Sequence, residues 1–270
     1  MGKRKILIVV KTYPNVSSKY SEVVCTAGIT DDAKWVRLYP IPYRYQPKEK
    51  QFKKYQWVEV EAERHRQDPR LESYRPKLET LAVIGPPLDC KNHWHERKKL
   101  VLPLLDKSIE ELQSMIKNKE RPGKSLGLIK PNVISDFIIE GTSREWSSKQ
   151  KAILRQKNLF EEIKDLDKIP YKFSYKFKCS DERCKGHKLM IEDWEIYELY
   201  RKCLTEHKNE KNALLKVREK YSGYLKNNDV YFVVGTQREH HFKKTFVLIS
   251  IFAPTKERES NNMSLFSTKD

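Results

Sequence analysis

Residues Tyr171–Glu195 read YKFSYKFKCSDERCKGHKLMIEDWE. Tyr171, Phe173, Tyr175 and Phe177 alternate with Lys172, Ser174, Lys176 and Lys178, the period of a β-strand. The strand runs into Cys179, Cys184 and His187 in a Cys-x4-Cys-x2-His spacing, with Gly186 beside the histidine to allow a tight return. A short apolar run then ends on Asp193-Trp194-Glu195. From there Ile196, Leu199, Tyr200 and Leu204 recur at helical spacing, so a helix is expected from Asp193 to about His207. Strand, knuckle and helix in so short a segment put this half of the chain in the α+β class.

Thiolates and imidazole are the usual zinc ligands, and closely spaced cysteines let one turn present two sulfurs to one ion. Cys179, Cys184 and His187 supply three ligands of a structural zinc site. Cys203 and His207 share a face of the following helix and either completes the tetrahedron, Cys203 being the assigned fourth ligand. Cys90-x2-His93-x-His95 is a looser pattern and reads as an exposed loop.

Upstream, Ile6–Val10 is a continuous apolar run, expected as a buried strand. Strands are also expected at Glu22–Ile29 and Trp35–Tyr39, joined by a turn at Thr30–Lys34, and at Gln56–Glu63. The first part, residues 1–85, is therefore read as β-rich with a small barrel-like sheet. Residues 86–253 are read as mixed helix and sheet. Ser108-Ile109-Glu110-Glu111 looks like a capping box, Arg121–Lys124 a break, Val133–Ile139 a strand and Ser147–Leu159 a helix. Asn209–Tyr221 is expected as a helix, and Val230–Val234 and Thr245–Phe252 as closing strands. Residues 254–270 read as a flexible tail.

The chain has 270 residues, 38% hydrophobic and 11% aromatic, enough for a substantial core. Its 54 Lys+Arg exceed 37 Asp+Glu, for a formal charge of +17. Such an excess attracts polyanions, and its interleaving with Tyr, Trp and Phe favours nucleic acid, DNA before RNA. No apolar run approaches the ~20 residues of a membrane span. The Ile6–Val10 run is too short for a signal-peptide core, and five cysteines in such a chain fit thiols that are free or metal-bound in a reducing cytoplasm.

Stacking and phosphate contacts are assigned to Lys11, Tyr13, Arg37, Tyr39, Tyr74 and Arg75. For the Trp35–Tyr39 strand, rings covering a barrel core are an equally weighted alternative. Asp193 or Glu195 is the candidate catalytic carboxylate, the competing role being helix capping; residues i and i+2 of a helix do not share a face, so at most one would meet a substrate. Gln237 and His240, in the loop between the last two strands, are candidates for reading or protonating a base. Met263, Leu265 and Phe266 in the tail resemble the clamp-binding peptides of bacterial polymerases and repair proteins, with Asn where the leading Gln is usual.

Lys11-Thr12-Tyr13-Pro14, Trp35–Pro40, Gln51–Tyr55, Glu72–Pro76, Ser125–Ile129 and the Cys-Cys-Gly-His to Asp-Trp-Glu segment together resemble a family of bacterial hypothetical proteins over nearly the whole chain. The resemblance implies a bacterial, cytosolic product of the accessory or antiviral-defence type, and no settled activity. Two readings follow. The first is a DNA-processing hydrolase, with base excision of the DNA glycosylase type fitting better than a nuclease, for which no Asp…Glu-x-Lys or His-Asn-His pattern is found. The second is a non-catalytic, zinc-stapled nucleic-acid-binding module. Convergence of Asp193 or Glu195, His240 and Tyr74 on one concave basic pocket favours the enzyme.

Overall fold

The computed structural model describes residues 2–158 and 166–256. The tail residues Met263, Leu265 and Phe266 lie outside these. Five strands close into a barrel: β1 (Gly2–Lys11), β3 (Ser21–Thr30), β4 (Trp35–Ile41), β5 (Trp57–Arg64) and β6 (Ser73–Pro76). The order around it is β1-β3-β4-β6-β5, with β5 returning to β1; β4 and β6 are parallel and every other contact is antiparallel. This is the strand arrangement of an OB-type Greek-key barrel. Two short strands flank it, β2 (Asn15–Ser17) on β3 and β7 (Ala82–Ile84) on β5.

The run Ile6–Val10 lacks alternation because β1 is buried on both sides. Ile6 and Ile8 enter the barrel with Val24, Val36, Leu38, Val58 and Val60. Leu7, Val9 and Val10 point outward and join Ala27, Ile29 and Trp35 against Leu126, Leu128, Tyr231, Val233 and Ile249 of the second half. Gly28 pairs with Ile8 at the point of closest approach, where a Cβ would lie 2.3 Å from the Leu7 carbonyl oxygen.

The second half contains two sheets. One has the order β14-β13-β9-β8, from β8 (Leu105–Asp106), β9 (Leu126–Ile129), β13 (Tyr231–Thr236) and β14 (Phe246–Phe252). The other is an antiparallel set of β10 (Val133–Gly141), β11 (Tyr171–Lys178) and β12 (His187–Met190). Helix α1 (Lys91–Val101) leads into this half, α2 (Ile109–Met115) follows β8, and α3 (Ser148–Asn158) follows β10. Helices α4 (Trp194–His207) and α5 (Glu210–Asn227) form a hairpin on the β10–β11 sheet. Their core is Phe137, Phe173, Tyr175, Phe177, Tyr200, Val217, Tyr221 and Phe232. Phe173, Tyr175 and Phe177 of the aromatic-lysine strand β11 thus face inward, Tyr171 at its start is half-buried, and Lys172, Lys176 and Lys178 face out, so most of this strand offers charge and little stacking surface.

The α+β architecture with a β-rich first half agrees with the sequence. Ser108 caps α2 as expected, accepting a 3.0 Å bond from the Glu111 amide. Helix α5 extends six residues past Tyr221, and Cys90–His95, expected as a loop, runs into α1 through a left-handed turn at Asn92, His93 and Trp94.

The two halves are sewn together by buried polar contacts. Arg37, 2% exposed, donates to the Ser125 carbonyl and hydroxyl at 3.3 Å and to Cys25 Sγ at 3.2 Å. Ser125 in turn donates to Glu72, and Arg70 to the Thr236 carbonyl at 2.8 Å. Arg37 is therefore a seam residue and not a phosphate contact, because the β13–β9 sheet covers the outer face of β4.

Candidate active site and metal centre

β1 ends at Lys11, and the chain leaves the barrel beside the segment that opens α4. Thr12 bridges Asp193, and the Tyr13 amide donates to the Glu192 carbonyl at 2.9 Å. Ahead of β5, Phe52 is locked in the barrel and the Tyr55 amide reaches the Ile8 carbonyl at 2.6 Å. Lys54 is held between these anchors with its side chain 5% exposed. Its Nζ lies 2.8 Å from Asp193 Oδ2 and 3.0 Å from Glu195 Oε2. Both carboxylates reach one cation because Asp193 is the N-cap and lies outside the helix proper; the spacing argument from helical faces does not apply to it. Asp193 also accepts from the amides of Glu195 and Ile251, each at 3.1 Å.

The three charges differ in exposure. Asp193 is sealed, with its side chain 2% exposed, whereas Glu195 is 56% exposed. Burial raises the Asp193 carboxyl above its ordinary value despite Lys54, and the Lys54 cation holds Glu195 below the usual carboxylate range. Burial opposes charge on Lys54, but Asp193 and Glu195 outweigh it and leave the ammonium more basic than usual. Burial on one side and the Lys54 cation on the other thus drive the two neighbouring carboxyls in opposite directions. Asp193 fixes Lys54, and Glu195 is the anion offered outward.

Glu195 looks onto a cavity of about 720 Å³, within the ~300–1,000 Å³ range of ligand sites. Tyr55, Trp94, Trp194, Tyr221 and Tyr224 supply its rings, and Lys11, Lys53, Arg97, Lys202 and Lys220 its positive charge. Tyr55 (φ 60°) and Trp94 (φ 65°) both have left-handed backbones, uncommon for aromatic residues and a kind of outlier that clusters at functional sites. The Arg97 guanidinium stacks 4.0 Å over Tyr55 and 4.7 Å over Trp94, which fixes both rings.

Residues 105–270 match the family model described as Domain of unknown function (DUF8757), and residues 2–103 match Domain of unknown function (DUF8758). The chain belongs to the DUF8757 family. No curated protein matches it significantly. The cavity needs both matched regions: Lys11, Lys54, Trp94 and Arg97 come from the DUF8758 region, and Asp193, Glu195 and Lys220 from the DUF8757 region.

Of the residues singled out in the sequence, Asp193, Glu195 and Lys11 meet at this cavity. Gln237 and His240 do not. Gln237 donates to Glu192 at 3.2 Å, and Glu192 and Asp193 are neighbours in extended backbone, so their side chains point to opposite sides. Tyr13 lines a separate 210 Å³ cavity and donates to the Asp167 carbonyl at 2.8 Å. Tyr74 sits on β6 under the Arg4 guanidinium at 3.9 Å, Arg75 is exposed beside it, and Tyr39 is half-buried on β4. None of these lines the 720 Å³ cavity, so the convergence of Asp193, His240 and Tyr74 is not found. Sequence reading missed Lys54, Tyr55, Trp94 and Arg97; the Lys53-Lys54 pair between Phe52 and Tyr55 was the available signal.

Away from the cavity, Cys179, Cys184, His187 and Glu110 bring one ligand atom each within 4.8 Å of one another. Gly186 (φ 101°) makes the return that lets Cys184 and His187 face the same point. Glu110 arrives from the first turn of α2, with Oε1 2.8 Å from His187 Nε2. Ser108, which caps the same helix, donates to Asp181 of the knuckle at 2.9 Å and locks the two elements together. The fourth candidate ligand that the structure brings to this group is Glu110, whereas Cys203 is buried within α4 and absent from the group. Glu110 Oε2 is buried with no hydrogen-bond partner, an atom that a cation would satisfy. Two sulfurs, one nitrogen and one carboxylate oxygen suit a borderline-soft divalent ion.

Proposed function

We propose that the protein is a nucleic-acid-processing enzyme of the glycosylase type that acts on an unpaired or extruded nucleotide of DNA. The observation that carries this reading is the Lys54–Asp193–Glu195 cluster on the wall of an aromatic, basic cavity. Cleaving an N-glycosidic bond requires an anion near the sugar as positive charge develops there, a stacking slot for the base and cations for the flanking phosphates. Glu195 supplies the anion, stabilising the oxocarbenium-like sugar or activating water. Asp193 is a positioning residue that holds Lys54, and Lys54 keeps Glu195 ionised. The half-buried Trp194 and Trp94 offer ring surface to the base, with Tyr55 packed behind Trp94, while Lys53, Lys202 and Lys220 receive phosphates. The β3–β4 face that OB-type barrels use for single strands is covered here, which supports the cavity over the barrel face as the ligand site.

The four-ligand group would hold zinc. None of its members lines the cavity and all four positions come from protein, the pattern of a structural ion that pins α2 to the β11–β12 turn.

The test is incubation with duplex and single-stranded oligonucleotides carrying normal and modified bases, followed by alkali to reveal abasic sites. Strand scission with the wild-type protein, lost in Glu195→Gln, supports the reading. Binding without scission on every substrate would reduce the protein to a non-catalytic nucleic-acid-binding module, and scission without alkali or base release would mark a nuclease.

A further inference from the structure

We propose that Lys11 is an amine nucleophile for the ring-opened sugar aldehyde of an abasic site, so that the cavity both removes a base and binds the product covalently; this rests on the reading of the cavity as a base-excision site. Lys11 and Lys54, two of the five lysines that line the cavity, have different surroundings. Lys54 is tied to two carboxylates. Lys11, half-buried at the end of β1, makes no ion pair or hydrogen bond with its amine among the described residues. Its Nζ instead lies 4.2 Å from the Tyr43 ring centre and 4.5 Å from that of Trp194, held in place by π faces and open to the cavity.

The charged groups facing it are Glu195, Glu198 and Asp193, from α4 and its cap, and Lys54 ahead of β5. Burial outweighs the carboxylates and, with Lys54, lowers the Lys11 amine to about 8. Roughly a quarter of such amines are unprotonated at pH 7.5, against about 0.1% for an ordinary lysine. A desolvated lysine beside another cation is a known way to obtain a nucleophilic amine at neutral pH.

The chemistry closes without an added oxidant or reductant. The neutral Nζ adds to C1′ of the aldehyde, a C–N bond forms, and the carbonyl oxygen leaves as water to give an imine. Loss of a C2′ proton to Glu195 places that electron pair in a C2′–C3′ double bond and expels the 3′ phosphate. Water then hydrolyses the imine and frees Lys11.

The test uses the full chain and an oligonucleotide with a preformed abasic site, with sodium borohydride added to reduce any imine to a stable secondary amine. A covalent adduct that peptide mass mapping places on Lys11, with formation rising through a midpoint near pH 8, is expected. Lys11→Arg, which keeps the charge, should lose the adduct while melting like the wild type. No adduct, or one mapped to Lys53, Lys54 or elsewhere, overturns the proposal; the mapping uses wild-type protein and stands even if the variant folds poorly. The preformed site bypasses base removal, so the two readings fail separately. Adduct without base release from any substrate keeps Lys11 as an abasic-site amine and removes the excision reading, whereas base release without adduct removes the role of Lys11 alone.

Discussion

Replacing Lys54 with methionine keeps the volume of the side chain and removes the cation from a carboxylate that is 2% exposed. Breaking a buried pair from one side costs about 3–5 kcal/mol, because the remaining charge has lost both water and partner. The structure also limits the cost, since Asp193 can take up a proton. At ~1.36 kcal/mol per pH unit, protonating a carboxyl with an ordinary value of 3.8 costs about 4.4 kcal/mol at pH 7 and about 1.6 kcal/mol at pH 5. The sign follows from proton counting. Burial already raises the Asp193 carboxyl, and without Lys54 less opposes it, so in the variant the folded state binds a proton at pH values where the unfolded chain has released it. The folded state then holds the extra proton, so stability falls as pH rises and recovers as it drops. Urea unfolding at both pH values, followed by tryptophan fluorescence, should show a loss of about 3–4 kcal/mol at pH 7 that shrinks by more than half at pH 5. A loss below about 1 kcal/mol at pH 7, or one equal at both pH values, would refute the argument that Lys54 exists to neutralise Asp193.

Glu195→Gln should leave stability within about 1 kcal/mol, since the group is largely exposed, and should reduce base release by about 100-fold or more; activity close to wild type would remove Glu195 from the reaction. Gly28→Ala should destabilise by about 2 kcal/mol or more by chemical unfolding, because the new methyl meets the Leu7 backbone; a neutral result would mean that β1 and β3 are not so closely paired. Metal analysis should find about one zinc per chain, lost in Cys184→Ser and Glu110→Ala and retained in Cys203→Ser; the opposite ranking of Glu110 and Cys203 would restore the ligand set expected from spacing alone.

Those ligand sets show what spacing can reveal. Cys179, Cys184 and His187 lie close together in the chain, so their convergence is legible. Glu110 is 77 residues from His187 and sits in a stretch that also makes good sense as a helix cap. The same limit applies to the charged cluster. Asp193 is recognisable as a cap, but Lys54 is 139 residues away and only barrel closure brings the two together. Strands were legible from their patterning, whereas the parallel β4–β6 contact and the return of β5 to β1 were not, because pairing depends on contacts distant in sequence. Arg37 misled for a related reason. A cation on a strand beside aromatic residues suggests a phosphate contact until the sheet that buries it is known. On β11 the alternation was correct, but which face is inward is decided by α4 and α5.

The most direct test of the central claim is the affinity for a labelled single-stranded oligonucleotide, by fluorescence anisotropy, of two variants with the same net charge. One carries Glu at Lys53, Lys202 and Lys220 around the cavity, and the other carries Glu at Lys172, Lys176 and Lys178 on β11. At one salt concentration, the cavity variant should lose about tenfold or more in affinity and the β11 variant only a small fraction of that. Equal losses would mean that net charge alone attracts the polyanion and that the cavity is not where it binds.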